Sequence, residues 1–140
     1  MARIVEHYEL ADNGNGEYAT TGPKGFWVAV LADSEEIVGY VGLDIKDPTT
    51  GEIRRMVTSP SHRRLGIASM LMSTCEEHAR KYSHSNSKAK YALKRITLQT
   101  TEYQPHARAL YARFGFSVVG EERWRYGFRW IRVFTYGKEL

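Results

Sequence analysis

Seven residues, His62-Arg63-Arg64-Leu65-Gly66-Ile67-Ala68, carry the clearest chemistry in this chain of 140 residues. They put a tight glycine turn where an apolar-striped helix begins. A helix start leaves about four main-chain N–H groups without intrahelical partners and carries roughly half a positive charge from the aligned peptide dipoles. Phosphate gains hydrogen bonds and field there together. Gly66 and Ala68 keep bulky side chains out of the approach, while Arg63 and Arg64 add full charges. The N–H groups of residues 64 to 69, those of Leu65, Ile67 and Ser69 included, would form the cradle. Taken alone, Arg-x-x-Gly-x-Ala also fits an ordinary loop-to-helix junction.

Other residues that could do chemistry are read more plainly. Imidazole is a common acid–base group, which makes His62 and His106 candidates, yet they fall at the phosphate turn and on a first helical turn, where surface or phosphate-assisting roles are expected. His78 and His84 are expected to be solvated. No histidine pair has a metal-ligand spacing with carboxylates, so no metal is expected. Cys75 is the only cysteine and falls on an apolar helix stripe, as a small core residue would. The run Arg123-Trp124-Arg125-Tyr126-Gly127-Phe128-Arg129-Trp130 suits three uses. It can border a substrate site, form a homodimer patch, or stack single-stranded nucleic acid.

The elements that must position these residues follow from periodicity. Residues 26 to 32 and 37 to 45 are β-rich runs separated by Asp33-Ser34-Glu35-Glu36, which predicts a hairpin. Asp47-Pro48-Thr49-Thr50-Gly51 is a second turn cluster leading into a strand from Glu52 to Thr58. Leu71, Cys75, Ala79 and Tyr82 recur at steps of three or four and predict an amphipathic helix over 66 to 82. Residues 83 to 90 have no period and read as an exposed insertion. Arg95 to Thr100 alternates as a strand, and a strand–helix–strand connection implies parallel pairing with a right-handed crossover. A second helix spans about 104 to 114, with Thr101 and Gln104 as a capping box, Pro105 in the first turn and Gly115 as its stop. Residues 116 to 121 and 130 to 137 are the last strands, joined by a Trp-Arg-Tyr-Gly loop. Residues 12 to 25 read as an irregular loop.

The bulk properties bound the rest. A chain of this length is expected to be one domain, 1 to 140, with a single packed core. The formal charge is +4, which suits an anionic ligand without requiring nucleic acid. No apolar run approaches the roughly 18 residues of a membrane span, and the N-terminus lacks a signal-peptide core. A soluble, cytoplasmic protein is the expectation.

Two separate blocks resemble the GNAT superfamily of acetyl-coenzyme A-dependent N-acetyltransferases. Its pyrophosphate loop reads Gln/Arg-x-x-Gly-x-Gly/Ala, and Arg63, Gly66 and Ala68 occupy the fixed positions. The second block, Ile96-Thr97-Leu98-Gln99-Thr100-Thr101 followed by Ala107-Arg108-Ala109-Leu110-Tyr111-Ala112-Arg113-Phe114-Gly115-Phe116, is similar to the superfamily's fifth strand, fourth helix and Leu-Tyr-x-x-x-Gly-Phe signature. The upstream runs Phe26-Trp27-Val28-Ala29-Val30 and Val38-Gly39-Tyr40-Val41-Gly42 resemble the camello-type branch, which contains cysteine-conjugate and protein-lysine acetyltransferases. The superfamily's first strand and helix are curtailed in the first 25 or so residues.

The resemblance implies an α+β fold of three layers. Its mostly antiparallel sheet has a central parallel strand pair splayed to hold acetyl-CoA, with helices on both faces. It implies that the pantetheine arm lies along Met56, Val57 and Thr58 like an added strand, and that Gln104 stands where the superfamily has an Asn contact. Tyr111 matches the tyrosine that protonates the departing thiolate, and Glu52 sits where some members place a base, with Asp44 a weaker rival. A strand-end glutamate without a role fits Glu52 equally well. The activity implied is acetyl transfer to a small-molecule amine or protein lysine in a ternary complex. A non-catalytic coenzyme A-binding module and a basic nucleic-acid binder are the alternatives.

Overall fold

The computed structural model describes residues 10–12, 14–15, 18–84 and 88–140. A two-stranded ribbon, β1 (Leu10–Asp12) and β2 (Tyr18–Thr20), precedes a six-stranded sheet. The sheet is built from β3 (Gly25–Val30), β4 (Ile37–Asp47), β5 (Thr50–Thr58), β6 (Arg95–Thr101), β7 (Ser117–Tyr126) and β8 (Arg129–Glu139). Helix α1 (Ile67–Lys81) joins β5 to β6, and α2 (Pro105–Arg113) joins β6 to β7. The strand order is β3-β4-β5-β6-β8-β7, antiparallel throughout except for the β5–β6 pair. The mixed sheet and its central parallel pair are therefore as the sequence suggested.

Both hairpin turns of the first half form where the breakers stand. Leu31 and Glu36 close the β3–β4 turn, with Glu35 at φ 56°. The Asp47 carboxylate accepts from the Thr49 N–H and hydroxyl at 2.8 and 2.9 Å, an Asx turn that starts β5. Those same bonds, the main-chain one first, hold the Asp47 carboxyl below its ordinary range.

Helices were expected on both faces of the sheet, but the two helices described here share one face. Side chains alternate along β8, and Tyr136 meets α2 through Tyr111 and Arg108 while Lys138 meets Glu76 of α1 at 2.8 Å. The reason is topological. Both crossovers, β5–α1–β6 and β6–α2–β7, advance across the sheet in the same direction, so right-handedness puts both helices on the same side. Under them lies the core, in which Val41, Leu43, Ile96 and Leu98 of the sheet meet Leu71, Met72 and Cys75 of α1. Cys75 is fully buried, and burial pushes its thiol up to about 12. It is a core residue, with no thiolate to offer near neutral pH.

Four local expectations are corrected. His78 is buried, with Nε2 3.0 Å from the Gly22 carbonyl and its ring between Trp27 and Tyr82. It shares the buried stripe of Leu71 and Cys75, and burial lowers its pKa. Thr101 and Gln104 form no capping box. Gln104 is itself the residue before the helix, and its side chain makes no capping bond. Trp124 to Tyr126 form no loop, because β7 runs on to Tyr126 and turns at Gly127-Phe128. Residues 12 to 25, read as an irregular loop, include β2. Part of the expected insertion, 85–87, lies outside the described residues, as does the chain before Leu10.

Candidate active site

The β5–β6 ladder runs from Thr50↔Arg95 to Ile53↔Leu98 and stops, although β5 continues to Thr58 and β6 to Thr101. Beyond Ile53 the two strands part. The cause is in β5. Against β4, Tyr40 pairs with Val57 but Gly42 with Arg54, so three steps on β5 oppose two on β4. The extra residue is a bulge, and Arg55 takes φ 56° within it. Main-chain groups of residues 54 to 58 on the β6 side are left without a ladder partner, which is what an extended ligand needs in order to lie there as a further strand.

The expected phosphate turn stands at the open end of this gap. A 3₁₀ turn, Pro60–His62, follows β5, and then Arg64 and Gly66 both adopt left-handed conformations, φ 66° and 76°. Gly66 precedes α1, whose first turn carries no acidic residue and no side-chain cap. The first N–H in α1 to find an intrahelical partner is that of Met70, on the Gly66 carbonyl at 2.9 Å. Those of Ile67, Ala68 and Ser69 are open to an anion. A Cβ built on Gly66 meets nothing within 4 Å, so the space in front of the turn is clear. Arg63, Arg64 and Leu65 are exposed around it, and Ile67 anchors the turn in the core. His62 lies beside it, within 3.2 Å of the Ser59 and Ser61 hydroxyls.

Along β5, Met56 and Thr58 face the helices and Val57 the bare face, since Thr58 pairs with Gly39, which packs under Ile67 and Leu71. Glu52 and Arg54 also point to the bare face, as does Asp44, which pairs with Glu52. Arg54 bonds Glu52 at 2.9 Å and reaches Asp44 at 3.4 Å, and Lys24 lies 3.8 Å from Asp44. Glu52 is thus part of an ion cluster rather than an isolated strand-end carboxylate. His106 is exposed on α2, away from this cluster in sequence and face.

Tyr111 is buried on α2, its ring 5.8 Å from Tyr136 and 6.4 Å from Phe116. Burial first, and Tyr136 second, raise the phenol above its ordinary value. Its hydroxyl forms no hydrogen bond among the described residues, so the proton donor is uncommitted. Gln104 is exposed, and its side-chain oxygen accepts from the Thr100 hydroxyl at 2.6 Å, which fixes the amide at the end of β6.

A splayed parallel pair, an anion turn at its open end and a buried tyrosine on the following helix can together hold an elongated phosphate ester and protonate a group leaving from it. The family profile described as "Acetyltransferase (GNAT) family" matches residues 3–116. The chain belongs to the GNAT acetyltransferase family. Among curated relatives it is similar to N-acetyltransferase 8 of Rattus norvegicus, 34% identical over 126 residues that make up 86% of this chain and 47% of the relative. That agrees with the camello-type resemblance. The chain spans about half the length of the curated relatives it matches. A GNAT acetyltransferase from Staphylococcus aureus Mu50 shares the fold at TM-score 0.71, 19% identity, over 99% of this chain and 75% of that one. A GNAT acetyltransferase from Elizabethkingia anophelis with acetyl-CoA bound does so at 0.66, 17% identity, over 100% and 84%.

Three features of this GNAT site had no sequence signal. The bulge falls on an arginine, a residue type that does not announce a positive φ. Arg54 joins the site only through its ion pairs with Glu52 and Asp44, and Tyr136 only through its ring contact with Tyr111.

Proposed function

We propose that the chain is an acetyl-CoA-dependent N-acetyltransferase acting on a primary amine of a small molecule or a protein lysine by direct attack. The observation that carries this reading is the alignment of the ladder break after Ile53↔Leu98 with the anion turn at Arg64–Gly66. Main chain left unpaired on the β6 side of residues 54 to 58 suits the amide-bearing pantetheine arm, and the open N–H groups of Ile67, Ala68 and Ser69 suit a pyrophosphate. Arg63 and Arg64 add charge around it, and Gln104, fixed by Thr100, offers its amide NH2 to the arm.

In this reading the acceptor amine approaches from the bare face, where Glu52, Asp44 and Arg54 lie. Glu52 attracts the ammonium and takes its proton directly or through water. An N–H near Met56 or Val57 stabilises the oxyanion as the amine adds to the thioester carbonyl. The C–S bond then breaks, and Tyr111 gives its proton to the departing thiolate. A phenol whose pKa is raised remains protonated at neutral pH, as a general acid must.

A thiol-release assay with acetyl-CoA over amino acids, cysteine conjugates, polyamines and lysine peptides tests this, with the acetylated product identified by mass. Thiol release that depends on an amine is the expected result. Tight binding of acetyl-CoA with no release on any amine would leave a binding module instead.

A further inference from the structure

The end of the β7–β8 hairpin belongs to neither the core nor the splayed gap. The β6–β8 ladder ends at Thr101↔Val133, and beyond it four pairs, Arg123↔Arg132 to Tyr126↔Arg129, have only each other. At about 3.4 Å per residue the ribbon projects roughly 13 Å past the sheet. Its apex is the turn Gly127-Phe128, with Gly127 at φ 59°. Phe128 is 102% exposed, Tyr126 80%, Trp130 62% and Trp124 46%.

We propose that this hairpin tip docks on an anionic lipid bilayer, seating Phe128, Tyr126 and Trp130 in the headgroup boundary while Arg123, Arg125 and Arg129 engage lipid phosphates. Shape argues for it. The aromatic groups lie on both faces of the ribbon, since Trp124 and Tyr126 alternate with Arg125, the partner of Trp130. A protein partner or a stack of bases would cover one face, whereas a bilayer surrounds a convex tip. Residue type agrees, because Trp and Tyr rings, apolar with one polar end, concentrate at membrane interfaces. Charge agrees too. No carboxylate occurs between residues 123 and 132, and Arg132 is bound to Glu121 at 2.7 Å. Arg123, Arg125 and Arg129 form no ion pair among the described residues, and Arg125 braces the turn through the Gly127 carbonyl at 3.2 Å. No helix among the described residues is long and apolar enough to cross a membrane, so this contact would be an interfacial one. Because Val133 pairs with Thr101, the last residue of β6, docking would turn the open end of the gap toward the lipid surface.

Flotation with unilamellar vesicles tests the proposal, using phosphatidylcholine alone and phosphatidylcholine with about 30% phosphatidylserine at about 0.1 M salt. The chain should float with the anionic vesicles only, and brominated lipid should quench its tryptophan emission. Phe128→Ala/Trp130→Ala and Arg125→Glu/Arg129→Glu should each weaken partitioning at least tenfold. Their melting temperatures should stay at the wild-type value, because these side chains touch no core. Equal or absent binding to both vesicle types would overturn the proposal, as would anionic binding that neither variant reduces. Binding to a single-stranded oligonucleotide, or dimerisation, that these variants abolish in a chain that does not float would also overturn it. Should a variant fail to fold, the brominated-lipid quenching of the wild type decides alone.

Discussion

Tyr111 lies against Tyr136 with ring centroids 5.8 Å apart at 59°, and Tyr136 pairs with Leu98, the residue at which the parallel ladder ends. The β6–β8 register therefore places the buried phenol over the vertex of the gap that the β5 bulge opens. Tyr111→Phe should keep this packing while removing the proton. We expect kcat to fall about 10²-fold with acetyl-CoA affinity and melting temperature nearly unchanged. Steady-state kinetics beside calorimetry checks the split, and an unaltered kcat would give the protonation to water.

The raised pKa of Tyr111 also sets a stability limit. The folded phenol holds its proton to higher pH than the unfolded one, so its contribution is complete below about pH 10 and declines above it. Denaturant titrations from pH 9 to 11 should show wild type losing stability on the alkaline side faster than Tyr111→Phe.

Glu52 is braced by Arg54 at 2.9 Å on the bare face. Glu52→Gln should lower kcat/KM about 10²-fold at neutral pH. The deficit should shrink as pH rises, because more of the acceptor then arrives already neutral. A pH–rate profile of both proteins measures this, and a constant deficit at every pH would make Glu52 a binding group only.

Gly66 holds φ 76° before α1. Any side chain there is strained, so Gly66→Ala should cost about 1 kcal/mol of stability and weaken acetyl-CoA binding through a displaced turn. Gly66→Trp should abolish binding by filling the clear space in front of the N–H groups. Calorimetric titration of both variants is the check, and retained affinity in the tryptophan variant would remove the anion turn from the site.

His78 supplies an acid limb. Burial depresses its pKa against the opposing bond to Gly22, so the neutral form stabilises the fold above the ordinary value near 6.5 and that support is lost as pH falls below it. Thermal melts between pH 7 and 5 should decline less steeply for His78→Gln than for wild type.

The glycine turn before α1 was legible because Gly66 and Ala68 are small at a helix start, and the parallel pair because a strand, a helix and a strand follow in order. Tyr111 stood within the Leu-Tyr-x-x-x-Gly-Phe signature, which placed it on the helix after β6. What escaped depended on partners that periodicity does not show. The face of α2 followed from β8 lying between β6 and β7, a strand order invisible in the chain. His78 was misread from polarity, although its position on the Leu71, Cys75 and Tyr82 stripe already pointed inward. The hairpin end reads as a loop in sequence, because only pairing across the ribbon shows that the four alternating charged and aromatic residues before Gly127 are strand.

Arg55 is the residue that the sheet could lose. On either side of it, Ile53 and Met56 face the helices while Arg54 and Val57 face away, the alternation of a regular strand with one residue looped out. Deleting Arg55 would preserve every neighbouring orientation and simply straighten the strand. Such a shortened protein should fold with its hydrophobic interior intact and zip β5 onto β6 past Leu98, closing the slot and leaving an inert scaffold.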